Sequence, residues 1–150
     1  MSIFYEIVLF DYGVYSAVYT SNNVISNGTI TNGSNYIEIA TKNDYKSDVF
    51  KRWVDVDLTN YSKIQAKATC NSPYNWRFVA WISQSSSAAN ARNATASQTA
   101  EYTNTGSSLK TVELDISTRS GVWYVAVGTD TNNASWSSKR TVDLFSVKLL

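Results

Sequence analysis

Histidine is absent from the sequence, and that absence removes much chemistry at once. The commonest general base, the Ser-His and Cys-His nucleophile pairs and the commonest zinc ligand are all excluded. Only one cysteine is present, Cys70, so no internal disulfide can form. The single proline, Pro73, falls between two strand-like runs, where its missing N–H is harmless. Charge is sparse and balanced, with 13 basic and 12 acidic side chains and a formal net charge of +1. No basic run tracks phosphates, so neither nucleic acid nor an anionic membrane is expected as a partner. No apolar run is long enough to span a bilayer.

At 150 residues the chain suits one domain spanning residues 1–150, able to bury roughly 70% of its unfolded surface without metal or disulfide staples. The start, MSIFYEIVLF, is apolar but short. It contains Glu6 and has neither a basic lead nor a small-residue cleavage site. It is expected to be neither signal peptide nor anchor, which implies synthesis in a cytoplasm, where the sequons at Asn27, Asn60, Asn93 and Asn133 carry no glycan.

The strong periodic signals have period two. IEIAT (37–41), WVDVDL (53–58), KIQAKATC (63–70), RFVAWIS (77–83), KTVELDI (110–116), VWYVAVGT (122–129) and RTVDLFSVKLL (140–150) alternate and are rich in Val, Ile, Thr and aromatics. Alternation puts Ile64, Ala66, Ala68 and Cys70 on one face, and likewise Phe78, Ala80 and Ile82, Val112, Leu114 and Ile116, and Trp123, Val125 and Val127. It sets Val54, Val56 and Leu58 against Trp53, Asp55 and Asp57. In the 140–150 run, Phe145, Val147 and Leu149 share one parity, and Val142 and Leu144 the other. A bulge, or cover on both faces, is expected there. SNGT (26–29) and TNGS (31–34) carry Asn-Gly turn signals, and TRSG (118–121) is another turn. The stretch SSSAANARNATASQTA (85–100) has alanines but too much Ser, Thr and Asn for a helix. It is expected to be a loop leading to a short strand near Glu101–Thr103. Seven or more short strands with this punctuation predict an all-β fold, a single antiparallel β-sandwich of jelly-roll type.

DLTNYSKIQAKAT (57–69), a Trp-bearing strand, KTVELDISTRSGVWYVAVGT (110–129) and the closing FSVKLL (145–150) together resemble a family of β-sandwich modules. These occur in virion proteins of bacteriophages and prophages of low-GC Gram-positive bacteria and of gut phages. LFDYGV (9–14) is similar to the family's opening L-[YF]-x-[YN]-G. The resemblance implies a jelly roll akin to carbohydrate-binding modules, exposed on a tail fibre, baseplate or capsid. It brings no shared binding residues with it. It also implies virion structural proteins as partners, a location on the virion surface and synthesis in the bacterial host cytoplasm.

The candidate contact residues are aromatic, with one cation. Trp81 and Arg77 share a strand face, roughly 13 Å apart along the strand. There Trp81 either stacks on a sugar with Arg77 beside it, or is packed beneath a loop or the N-terminal segment. Tyr124 lies opposite Trp123, on a face of small residues (Ala126, Gly128) open to a ligand or to another sheet element. Trp53 is either a rim aromatic beside Asp55 and Asp57 or core. Trp136, in NNASWSSKR, is either a loop lid or an exposed anchor.

Asp55 with Asp57, and Glu113 with Asp115, are carboxylate pairs spaced roughly 7 Å apart on a strand, a spacing inverting glycosidases use. A solvated strand face looks the same, and no catalytic residue is assigned. Asp130, Asn132 and Asn133 supply too few carboxylates for a calcium site, so no metal and no cofactor is expected. The residues therefore point to a non-enzymatic virion accessory or decoration protein. It would contact a host or mucus glycan, the virion surface or both, and would be able to form homo-oligomers through exposed strand edges. The alternatives are a structural cement, marked by an apolar patch built from MSIFYEIVLF, and a glycan-active enzyme.

Overall fold

A computed structural model describes residues 6–42, 47–70, 76–85, 99–104, 107–130 and 140–150. These residues form twelve strands and no helix. The strands are β1 (Ile7–Asp11), β2 (Val14–Tyr15), β3 (Ser21–Ser26), β4 (Gly28–Asn32), β5 (Ile37–Thr41) and β6 (Asp48–Asp57). They continue with β7 (Lys63–Cys70), β8 (Trp76–Ser83), β9 (Thr99–Asn104), β10 (Lys110–Asp115), β11 (Val122–Asp130) and β12 (Thr141–Leu149). One sheet has seven strands: β10-β7-β12-β1-β2 in order, with β5 also on β12 and β4 on β5. The other runs β3-β6-β11-β8-β9. Every pairing is antiparallel. The fold is the expected all-β sandwich of jelly-roll type.

The alternating runs explain the layers. Ile64, Ala66, Ala68 and Cys70 from β7, and Val112 and Leu114 from β10, face Phe78, Ala80 and Ile82 from β8 and Trp123, Val125 and Val127 from β11 in one buried cluster. Each fully buried Val, Leu, Ile or Phe side chain contributes roughly 1.5–3 kcal/mol. Cys70 lies inside this layer, and burial pushes its thiol pKa well up, as suits an inert packing residue. Residues 7–11 of the apolar start form an internal strand between β12 and β2, with Leu9 and Phe10 in the core. The interface patch that a cement role would need is therefore not built from these residues.

Three bulges set which side chains face inward, and the one in β1, between Val8 and Phe10, puts both Leu9 and Phe10 in the core. In β12 the register with β7 slips between Leu144 and Ser146. Val142 and Leu144 before it, and Val147 and Leu149 after it, all reach the core, which resolves the two parities seen in the sequence. In β6 the register with β11 slips as Trp123 pairs with Val56 and Val125 with Trp53. Asp55 takes φ +54 there. The inserted residue reverses the alternation, so Trp53, Val56 and Leu58 all point inward. Trp53 does not share a face with Asp55 and Asp57; it is 0% exposed.

The turn chemistry holds at SNGT and at TRSG, where Gly121 takes φ +77, but in TNGS Asn32 ends β4 and neither it nor Gly33 takes a positive φ. Asn27 adopts φ +57 and carries the chain from β3 in one sheet to β4 in the other. Tyr12 (φ +44) and Gly13 (φ +96) join β1 to β2. Two consecutive positive φ values mark the two-residue hairpin turn that normally takes Asn-Gly or Asp-Gly. A strand is found over Thr99–Asn104, slightly longer than expected. Most of the Ser- and Ala-rich stretch before it lies outside the described residues, as does Pro73.

Candidate functional site

The outer face of the five-stranded sheet carries the candidate surface. Antiparallel register aligns Asn22 with Arg52, Arg52 with Ala126, Ala126 with Trp81, and Trp81 with Thr99. This row crosses all five strands, roughly 19 Å at about 4.8 Å per strand spacing. Two register pairs away, on the same face, Tyr124 lies opposite Ser83. Trp123, Val125 and Val127 turn inward, which leaves the half-buried Tyr124 and its neighbour Ala126 on the outside.

Arg52 gives the surface its geometry. Its Nε donates to Asn22 Oδ1 at 3.0 Å, and its guanidinium lies 4.6 Å from the centroid of the Tyr124 ring. Both contacts fix a planar donor fork that would otherwise be mobile. Beneath it lies a second, smaller buried cluster of Phe50, Val79, Trp81 and Ala126, with Val24 against it. Phe50 and Trp81 meet edge to face, 5.8 Å between centroids at 83°, a favoured aromatic geometry. Trp81 is 1% exposed, and its buried indole N–H has no hydrogen-bond partner.

The proposed contact residues thus separate. Tyr124 and Trp81 occupy the same outer face, but only Tyr124 reaches the surface; Trp81 forms its floor. The room foreseen over Ala126 and Gly128 is filled, because Gly128 pairs with both Phe50 and Val79. Trp53 belongs to the core between the sheets. Arg77 has its backbone in β8 opposite Thr103, while its side chain, and Trp136 entirely, lie outside the described residues. Arg52, Asn22 and Phe50 were not foreseen. Continuing the unbroken alternation of WVDVDL backwards puts Arg52 inside, and only the Asp55 bulge places it outside.

Three strand carboxylates, Glu113, Asp115 and Asp57, are exposed and tied to donors. Glu113 accepts from Lys63 Nζ at 2.7 Å and from Gln65 Nε2 at 3.3 Å. These two hydrogen bonds hold its pKa below the usual glutamate range. Asp115 accepts from the Ser117 hydroxyl at 2.6 Å and backbone N–H at 2.9 Å, and Asp57 from the Thr59 N–H at 2.9 Å; both are likewise held low. Glu113 and Asp115 border a shallow groove of about 390 Å³ with Ser62, Lys63 and Ser117. A general acid needs a raised pKa, and these shifts run the other way. A depressed carboxylate contributes stability above its unfolded pKa and loses it as pH falls through the lower folded value. A carboxyl-detected NMR titration should therefore give Glu113 a midpoint below the ordinary glutamate range, and Lys63→Met should move it upward. A Glu113 midpoint near 6 would restore the general-acid reading. Among the described residues no group of three or more Cys, Asp or Glu is placed to hold a metal ion.

No protein-family model matches the sequence, and no curated protein matches it. Solved structures do share its fold. A family 29 carbohydrate-binding module from Piromyces equi superposes with a TM-score of 0.57 at 5% identity, over 97% of this chain and 89% of that one. The family 11 carbohydrate-binding module from Clostridium thermocellum, solved with a β-1,3-1,4-mixed-linked tetrasaccharide, gives 0.53 at 19% identity, over 97% and 95%. The cleaved adhesin domain of Lys-gingipain gives 0.52 at 15%, over 97% and 99%. At these identities the likeness is one of fold: this chain has the jelly-roll β-sandwich fold found in these modules.

Proposed function

We propose that the protein is a non-enzymatic glycan-binding module whose contact surface is the outer face of the five-stranded sheet. The observation that carries this is the Arg52 fork, braced by Asn22 of the edge strand and laid on Tyr124, in a row that crosses the sheet. A planar guanidinium presents paired donors to adjacent hydroxyls, the edge of Tyr124 supplies apolar contact to sugar C–H groups, and Asn22 and Ser83 add adaptable polar partners. The match to carbohydrate-binding modules supports the glycan as ligand class, since the family 11 module was solved with one bound.

The setting we infer is a bacteriophage virion. There the module is an accessory or decoration protein on capsid or tail, made in the bacterial host cytoplasm and attaching particles to a host or mucus glycan. That inference rests on the sequence resemblance in LFDYGV, DLTNYSKIQAKAT and KTVELDISTRSGVWYVAVGT. Labelled antibody on assembled particles tests it, and a protein absent from particles would overturn it.

The ligand half is tested on a glycan array. Arg52→Ala and Tyr124→Ala should each weaken the best array ligand at least tenfold, about 1.4 kcal/mol. Melting should shift little, because both side chains are only half-buried. Full retention of binding in both variants would remove this face from the function. Release of reducing ends from the same glycans would instead indicate an enzyme.

A further inference from the structure

We propose a second sugar site, on the outer face of the seven-stranded sheet, where Tyr12, Tyr36 and Phe145 form a platform for a neutral pyranose ring beside Glu38 and Asp143. It rests on the glycan-binding reading and extends it to the opposite side of the sandwich.

Two turns and one bulge assemble this patch. The edge of β12 passes from β5 to β1 at Phe145: Leu144 pairs with Ile37, and Ser146 with Asp11. The bulge that sends Leu144 and Val147 inward leaves Phe145 out of the core cluster. The Tyr12 N–H donates to the Phe145 carbonyl at 2.8 Å, which fixes the Tyr12-Gly13 turn over the junction. The Phe145 ring meets Tyr12 at 5.5 Å and 40°, and Tyr36 at 5.6 Å and 49°. Tyr12 is 51% exposed, although its φ is one that bulky side chains avoid. Asparagine would satisfy this turn without strain, so an aromatic held there against backbone preference points to use of the ring.

The surroundings select the ligand. Asp143 pairs with Glu38 one register step from Leu144–Ile37, on the parity that faces away from the core. Two carboxylates thus flank the aromatic pair. A carboxylate accepts several hydrogen bonds, so Glu38 can take a sugar hydroxyl, while Asp143, with one oxygen buried, adds negative charge beside it. Their charge disfavours uronic and sialic acids. The rings touch one another instead of standing apart around a hole, which argues against a quaternary-ammonium cage. The outward side chains nearby include the polar Thr69 and Lys148, with the exposed Val14 opposite Asp11 at the turn.

A module with sites on opposite faces can bridge two glycan strands and gain avidity without new contacts. The probes are cellohexaose, the β-1,3-1,4-mixed-linked tetrasaccharide and neutral mucin-type glycans, with hyaluronan and polygalacturonate as acidic counterparts. Native mass spectrometry should show two equivalents of the best neutral ligand per chain. Tyr12→Asn should reduce this to one, with the second affinity at least tenfold weaker and a melting temperature no lower than the parent's. Should Tyr12→Asn melt lower, Tyr36→Leu must give the same loss of one equivalent, or the proposal falls. It also falls if the parent binds one equivalent that Arg52→Ala abolishes and Tyr12→Asn leaves untouched, an outcome that keeps the first site intact. Preference for the acidic polymers overturns it as well. Absence of binding to every probe removes both sites together.

Discussion

Trp53→Ala should lower the stability of the fold by about 3–5 kcal/mol. The side chain is fully buried between the sheets and packs in the main cluster with Val56 and Val125. Removing it leaves a cavity that the two sheets cannot close without breaking the ladders that fix their positions. For a chain of this length each kcal/mol moves the melting temperature by about 2–4 °C, so a fall of roughly 6–20 °C is expected. Trp53→Phe should recover most of the loss, because the ring packing is largely kept and the indole N–H has no hydrogen-bond partner to lose. Calorimetry of the two variants decides the matter. A melting temperature for Trp53→Ala within a few degrees of the parent would place the ring at the rim, where it could meet a ligand.

Gly128→Ala should be nearly as damaging, for the opposite reason. A Cβ there would fall inside the van der Waals radius of the Val49 carbonyl oxygen, 2.8 Å from Phe50 Cα and 3.0 Å from Phe50 Cδ1. Two of these three atoms are backbone of the paired strand β6, so relief requires that strand to move. Overpacking typically costs 1–3 kcal/mol and occasionally more, and a backbone obstacle puts this variant at about 3 kcal/mol. The same movement would displace Phe50 and, two residues on, Arg52. Chemical denaturation should show the instability, and glycan affinity measured well below the melting temperature should fall with it. A variant of parental stability would mean that β6 and β11 lie further apart than described.

How much was legible beforehand depended on whether alternation ran unbroken. Ile64 to Cys70, Val112 to Ile116 and Trp123 to Val127 kept strict period two, and their inward faces could be read directly. The β12 bulge was one of two readings open in the sequence, since apolar residues on both parities of RTVDLFSVKLL called for a bulge or for cover on both faces; the structure has the bulge. The β6 bulge was hidden: WVDVDL alternates perfectly on paper, and nothing in it signals that Asp55 takes a positive φ. That one inserted residue turned Trp53 from candidate ligand contact to core. It also brought Arg52, which drew no notice in the sequence, to the outer face. Tyr124 could be foreseen from the small residues beside it. Phe50 could not, since its partner Trp81 lies across β11 and only the strand order brings them together. The aromatic trio on the other sheet was equally hidden, because Tyr12, Tyr36 and Phe145 come from three distant segments.

The position of β12 has an effect on how the molecule is made. Thr141–Leu149 holds the middle of the seven-stranded sheet, touching β7 along one edge and β5 and β1 along the other. Leu150 locks to Ser62 and Lys63 by three backbone hydrogen bonds. During translation β1, β5 and β7 must therefore wait, without their common neighbour, until the codons for this segment have been read. Until then β1, β5 and β7 each keep an edge that only β12 can pair, so the seven-stranded sheet closes in one step when that segment emerges.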